Sequence, residues 1–434
     1  MVMEPFEQLP QDLVLLVCSY ALDEPPQEAL VRAAQDGDEQ LARWLTRTYA
    51  LTAQDVLAGT DLGTGEFWDT ALSAACRGGY IMLAQWFVSF FDLTAKDVRT
   101  VVQNSLVAAC GGGHLPAAQW LVSTFNLIAE DARVVDEQDC TALTVACRYG
   151  HLAIAQWLTE RFGLTATDAR DGIHRGTTAL SEACAGGHLA VAQWLVGVFG
   201  LTGGDVCAGS HLALYRACAG GHLADAQWLM AKFTLVEGIA YADVSLLHGA
   251  CTGGHLAVAM WLVETLEYTR EVVCVGDNQI LRDVCARGHL DVVRWLVGKF
   301  GLTAADARSG RNNALHEACI HHHRNVARWL ATTFHLSAAD VLGGGLSAVH
   351  IPCGNGNIVT VAWLVEYFDL APIVRSWVQQ WREPHIPRPH GWRRVARWLT
   401  EEYGRSWVYE GYVRPPCDQC DRELQRWLLS EFGI

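Results

Sequence analysis

Seven times along this 434-residue chain a cysteine is followed four residues later by a histidine, from Cys110 with His114 through Cys319 with His323. Thiolate and imidazole are zinc ligands, and where they meet they also make a nucleophile and its base. Zinc, however, needs four ligands converging on one point, and each pair offers two. Three further positions of the same register hold Asp38, Tyr80 and Asn357 in place of His, which suits a structural slot of relaxed identity.

Two denser groups remain. His321-His322-His323, with His316 and His335 nearby, is the richest imidazole cluster. His323 is the recurring histidine, while His321 and His322 are extras that serve either as a contact patch, as an adventitious metal site, or simply as the turn there. Cys417-Asp-Gln-Cys420 reads as half a zinc site with only His385 and His390 as further partners. Cys417 stands ten residues before Trp427, which favours a degenerate final repeat. No unique nucleophile with a base, paired carboxylates or glycine-rich phosphate loop is found, so the expectation is a non-enzyme with no cofactor and no metal.

The composition narrows the class. With 51% hydrophobic and 18% charged residues the chain has ample material for a core. A net charge of -15 argues against nucleic acid as partner, because such binding rests on Lys and Arg displacing counterions. The segment from Ala371 onward is an outlier, with ten Arg, no Lys and eight acids. The opening Met1-Val2-Met3-Glu4 lacks a basic region, and Leu13 to Leu22 is too short to cross a bilayer. The expectation is therefore an intracellular, cytoplasmic protein without a membrane partner.

The elements that must hold these residues announce themselves by repetition. Trp recurs at 44, 86, 120, 157, 194, 228, 261, 295, 329, 363, 398 and 427, and nine cysteines (76, 110, 147, 184, 218, 251, 285, 319 and 353) each precede a Trp by ten residues. Such a period marks a solenoid. Equivalent positions in stacked helices lie roughly 10 Å apart, beyond the reach of a disulfide at about 7 Å, so these cysteines are expected as reduced core residues. In the unit from Thr178 to Val196, Leu180, Ala183 and Cys184 share one helical face, Gly187 ends that helix, and Leu189, Ala192, Leu195 and Val196 stripe a second. Phe199-Gly200-Leu201-Thr202 and its echoes at 162 and 300 cap the second helix. Thr94 with Asp97, Thr165 with Asp168, Thr303 with Asp306 and Ser337 with Asp340 have capping-box spacing, which predicts a third short helical segment.

Thr-Ala-Leu, Ala-Cys, Gly-His-Leu and the following Leu-Val pair together resemble the ankyrin repeat, over about residues 27 to 370. The long, Trp-bearing form is similar to arrays from amoebae and their giant viruses. The resemblance implies an all-α, elongated solenoid of helical hairpins with capping ends, a histidine that caps or braces each hairpin turn, and a concave face of first helices and finger loops that binds partner proteins. Two departures stand out: Cys replaces the usual second Ala, and Phe-Gly-Leu-Thr-Ala-x-Asp replaces the usual finger entrance, so a regular β-hairpin finger is not expected.

The organisation expected is a capping helix over 1–26, ten repeats over 27–370, and degenerate repeats with a cap over 371–434. The function expected is protein–protein recognition by a monomeric scaffold. In a solenoid, specificity is written on positions that packing does not dictate. On the first helices these are Tyr149, Glu182, Tyr215, Arg216, Arg282, Asp283, Arg287, Glu317 and His321, with Arg77 and Arg148 beside them; Tyr and Arg are favoured interface anchors. Phe67 and Trp68, on the Gly59–Asp69 insert, either anchor a partner or fold back as a cap. Residues 6–20 resemble the start of an F-box, giving as an alternative a ubiquitin-ligase substrate adaptor, although the first repeat begins too soon for a whole one and a cap is favoured. The Trp- and Arg-rich C-terminal region is a cap or a second binding surface; a metal-binding or catalytic role for it is the remaining alternative.

Overall fold

A computed structural model describes residues 25–370 except 62–67, 101–104, 136–139, 171–176, 236–243, 343–346 and 356, and adds Trp398. The F-box-like stretch, Phe67, and the Cys417–Cys420 pair lie outside the described residues. The polypeptide divides into two compact units, residues 1–240 and 241–434.

Each unit is a stack of helical hairpins. In the first, the first helices of the repeats are Pro26–Asp36, Ala71–Arg77, Ser105–Gly111, Ala142–Arg148, Ala179–Gly186 and the C-terminal part of Gly203–Ala219. The second helices are Glu39–Thr48, Ile81–Phe90, Leu115–Phe125, Leu152–Phe162, Leu189–Phe199 and Leu223–Phe233. In the second unit the order repeats with Ser245–Thr252 and Leu256–Leu266, Val275–Arg287 and Leu290–Phe300, Ala304–Ile320 and Arg324–Thr333, then Ser347–Gly354 and Ile358–Phe368. Third segments such as Ala53–Leu57, Ala166–Arg170 and Ala338–Leu342 are short helices, as the capping spacing predicts.

Capping sets the helix boundaries. Thr178 Oγ1 accepts from the Ser181 N–H at 3.1 Å while Ser181 Oγ accepts from the Thr178 N–H at 2.8 Å, and Thr70 with Ser73 does the same. The third segments use a carboxylate: the N–H groups of Thr165, Thr303 and Ser337 each donate at 2.7 Å to Asp168, Asp306 and Asp340. The nine recurring cysteines are free and buried. Burial raises their pKa, to about 12 for Cys76, Cys218, Cys251 and Cys319, so they are inert thiols packed as small apolar residues. Most Trp residues of the period stand edge-on to the aromatic five residues later, as in Trp157 with Phe162 at 6.2 Å and Trp295 with Phe300 at 6.1 Å, whereas Trp261 is followed there by Leu266.

The recurring histidine braces one repeat against the one before it. His151 Nε2 donates to the Gly111 carbonyl at 3.0 Å, His222 to Ala185 at 2.9 Å and His289 to Thr252 at 3.0 Å. Its ring lies on the turn glycine of the preceding hairpin. A Cβ at Gly187 would fall 2.2 Å from His222 Nδ1, and one at Gly288 would fall 2.2 Å from His323 Nδ1. That glycine also has positive φ, 72° at Gly187 and 81° at Gly288, so both backbone and neighbour exclude a side chain. One described turn breaks the rule: His322 takes φ 68°, and there the following repeat carries Asn357 in place of histidine.

One element was not foreseen. The Gly59–Asp69 insert closes in a two-residue antiparallel ladder, Thr60 opposite Asp69 and Asp61 opposite Trp68. It is the one exception to the all-α architecture among the described residues. Asp69, 2% exposed, leaves this ladder to accept from Arg77 Nη2 at 3.0 Å and Ser73 Oγ at 3.1 Å, which ties the insert to the first helix of its repeat.

Candidate functional site

The first-helix face is built from positions that change identity while the braces around them stay fixed. Its densest part lies in the first unit. Arg148 ends one first helix, and its Nε donates to Glu182 Oε2 at 2.5 Å in the next repeat. Arg216, one repeat further, places Nη1 3.3 Å from Glu182 Oε1 without a hydrogen bond. Glu182 is 0% exposed. A lone buried carboxylate costs several kcal/mol, and here two guanidinium groups offset that cost. Tyr149 adjoins Arg148 and is 40% exposed, and Tyr215 adjoins Arg216 and is half-buried.

The expectation that Glu182 is a contact residue needs correction in its geometry. It lies beneath the face, and the arginines it holds are what the face presents. Arg77 repeats the pattern on the other side, anchored by the nearly buried Asp69.

In the second unit the charges are arranged differently. Asp283 accepts from His248 Nε2 at 2.8 Å, with both side chains about one-third exposed, and Gln279 approaches the same carboxylate at 3.5 Å. Glu317 stands 3.6 Å from His321 one helical turn on. Arg282 is half-buried and Arg287 exposed. His316 is buried, and that burial lowers its pKa although backbone hydrogen bonds at Val341 and Asp340 oppose the shift. Among the described residues no group of three His, Cys, Asp or Glu is placed to hold a metal ion. Trp68 enters only through its backbone pairing with Asp61.

Sequence reasoning missed His248 and a second set of charges at the third segments. Arg133 pairs with Asp168 and Arg170 with Asp205 in the first unit; Arg270 pairs with Asp306 and Arg308 with Asp340 in the second. The signal was present, since Arg follows the capping Asp by two residues at Asp131, Asp168 and Asp306. Hydrogen bonds from Arg170 and Arg308 hold Asp205 and Asp340 down at about 2. For Asp168, burial pushes the pKa up, but hydrogen bonds from Arg133 and Thr165 outweigh it and leave the group below its ordinary value.

Also unforeseen is Asp225, 3% exposed on a second helix where other repeats place Ile154, Val191 or Val258. Its Oδ1 has no hydrogen-bond partner, and burial raises its pKa.

Comparison with known families agrees with this geometry. A model of ankyrin repeats in three copies matches residues 72–171, and a model of ankyrin repeats in many copies matches residues 281–331. No curated protein matches the chain. Ankyrin repeats are generally protein–protein interaction modules, and proteins built from them are typically non-enzymatic. No described helix is long and apolar enough to cross a membrane. With hairpins braced at fixed intervals in both units and a family match in each, the chain belongs to the ankyrin repeat family.

Proposed function

We propose that this protein is a non-catalytic scaffold that recognises partner proteins through the first-helix faces of its repeats. One observation carries the reading. Side chains that close the fold recur in repeat after repeat, while first-helix residues such as Tyr149, Arg216 and Asp283 occur once each at their positions in the repeat, and these and Glu317 stand partly exposed. Packing does not require them, so their variety is free to encode a partner.

The test is affinity capture with the full chain and with a variant carrying Tyr149→Ser, Arg216→Gln, Asp283→Asn and Glu317→Gln, read by mass spectrometry. A set of proteins recovered with the natural chain and absent with the folded variant supports the reading. An unchanged set overturns it.

A further inference from the structure

Five successive second helices of the first unit carry a Gln-Trp pair at the same register, from Gln85-Trp86 through Gln156-Trp157 to Gln227-Trp228. All five Trp rings are half-buried, and every Gln is exposed except Gln85, which is half-buried. Among the described residues no hydrogen bond engages the Gln side chains or the indole N–H groups of these pairs. Packing accounts for the rings, which stand against aromatics such as Phe125 and Phe162 at the helix ends. It does not account for a partnerless amide that recurs five times. In the second unit the same position holds Met260, Arg294, Arg328 and Ala362.

The strip these pairs make holds little charge. In a chain whose net charge is -15, its five helices contain only Glu160, Arg161, Lys232 and the buried Asp225 as charged residues. One turn before the Trp stand Pro116, Ala153, Ala190 and Ala224, which are too short to cover the ring. At the first helix of the strip Arg43 lies over Trp86 at 5.2 Å, and Met82 and Phe90, 72% and 51% exposed, add apolar surface beside it. Aromatic rings and free donors thus recur at the roughly 10 Å spacing of stacked helices. A ligand that fits has the same period and the opposite hydrogen-bonding character. The polyproline II helix has both. It advances about 3.1 Å per residue with three residues per turn, so an equivalent face returns about every 9 Å; its prolines offer carbonyl acceptors and no N–H, and no internal hydrogen bond occupies those carbonyls.

We propose that the second-helix strip of residues 81–233 docks a proline-rich segment of a partner protein in the polyproline II form, about one turn per repeat. The Trp rings pack against its prolines, and the indole N–H groups and Gln amides donate to its carbonyls. A repeating surface meets a repeating ligand. The strip shares no residue with the first-helix face, so this proposal goes beyond the recognition reading above and does not rest on it.

The probe is fluorescein-labelled polyproline of about 15 residues, long enough to pass five pairs at about 3.1 Å per residue. It is titrated against the full chain by fluorescence anisotropy beside a Gly-Ser peptide of equal length. Binding is expected for polyproline alone, and a polyproline of about 5 residues, which spans two pairs, binds at least tenfold more weakly. Gln119→Ala with Gln156→Ala and Gln193→Ala removes three donors at exposed helical sites and weakens the long peptide roughly tenfold or more. Trp157→Phe keeps a ring, loses the N–H and weakens it by a smaller factor. The four-site first-helix variant binds the peptide as the natural chain does, and thermal melts confirm that each variant is folded. No binding of polyproline, equal binding of the Gly-Ser peptide, or unchanged affinity in the folded triple-Gln variant overturns the proposal. Loss of the peptide from the folded four-site variant overturns it as well, because the peptide then sits on the first-helix face. So does a dimer of the natural chain in analytical ultracentrifugation that the triple-Gln variant abolishes, because a second copy then covers the strip.

Discussion

Two charged regions of this molecule use the same side chains to opposite ends. Along the third segments, each pairing between repeats couples one arginine to one aspartate, and three of the four described pairs repeat the same Asp-Ala-Arg register. On the first-helix face of the first unit, one buried glutamate holds two arginines, and no other described repeat copies the arrangement. An interaction that recurs with the period aligns neighbours and carries no identity. One that occurs once has no bearing on the general register and marks its own repeat. Charge alone does not separate the two regions; periodicity does.

The comparison is sharpened first at its most buried point. Arg148→Ala leaves Glu182 facing only Arg216, which makes no hydrogen bond to it, and should destabilise the first unit by about 3 kcal/mol. Urea unfolding followed by circular dichroism measures it, and a cost near zero would show that Glu182 is not the buried charge described here.

Next come the two classes of glycine. Gly187→Ala meets both the left-handed backbone and His222, displacing the ring and its hydrogen bond to Ala185, for a loss of about 2 to 3 kcal/mol. Gly200→Ala, at φ 59° with nothing within 4 Å, loses only about 1 kcal/mol. Thermal melts of the two single variants test the difference; equal losses would remove the histidine brace from the account.

Asp225→Val moves the other way. It restores the apolar side chain that sibling repeats carry and removes a buried carboxyl whose Oδ1 has no hydrogen-bond partner, which should stabilise the protein by about 1 to 2 kcal/mol in the same urea assay. A loss of stability would mean that Asp225 has a partner.

The smallest effect belongs to the periodic edge. Asp205 and Asp340 titrate at about 2 in the fold, against an ordinary 3.8. The unfolded chain therefore binds more protons between those values, so their contribution is complete above about pH 4 and is lost as pH falls through 2. In Arg170→Gln with Arg308→Gln the acid-induced loss of stability between pH 4 and 2 should be shallower than in the natural chain. Identical acid titration curves would count against the pairing.

Much of the fold was legible because solenoid packing repeats its own signals. Gly187 and Trp194 keep their offsets through most of the repeats and Thr178 recurs at Thr70 and Thr141, and they map to a left-handed turn, a packed ring and a cap. The partner of the recurring histidine was also on the page, though as a coincidence between two repeats: glycine stands at the turn before a histidine-bearing repeat, and His322 precedes Asn357. Burial of the non-periodic residues was not legible. Glu182 and Asp283 hold equivalent positions, yet Glu182 is sealed between two arginines and Asp283 is partly exposed beside a histidine. What decides between them is the residue on the neighbouring helix some 35 positions away, which a local reading of sequence does not weigh.

The central claim is that the periodic contacts hold the stack and the unrepeated first-helix residues choose the partner. It is tested most directly by measuring, for a protein captured with the natural chain, its affinity for two folded variants. One carries the four first-helix substitutions, and the other carries Arg133→Gln, Arg170→Gln and Arg308→Gln along the third segments. The account predicts that the first loses the partner while its melting temperature holds, and that the second keeps the partner with a slightly lower melting temperature. Loss of the partner from the third-segment variant, with full binding retained by the first-helix variant, would contradict it.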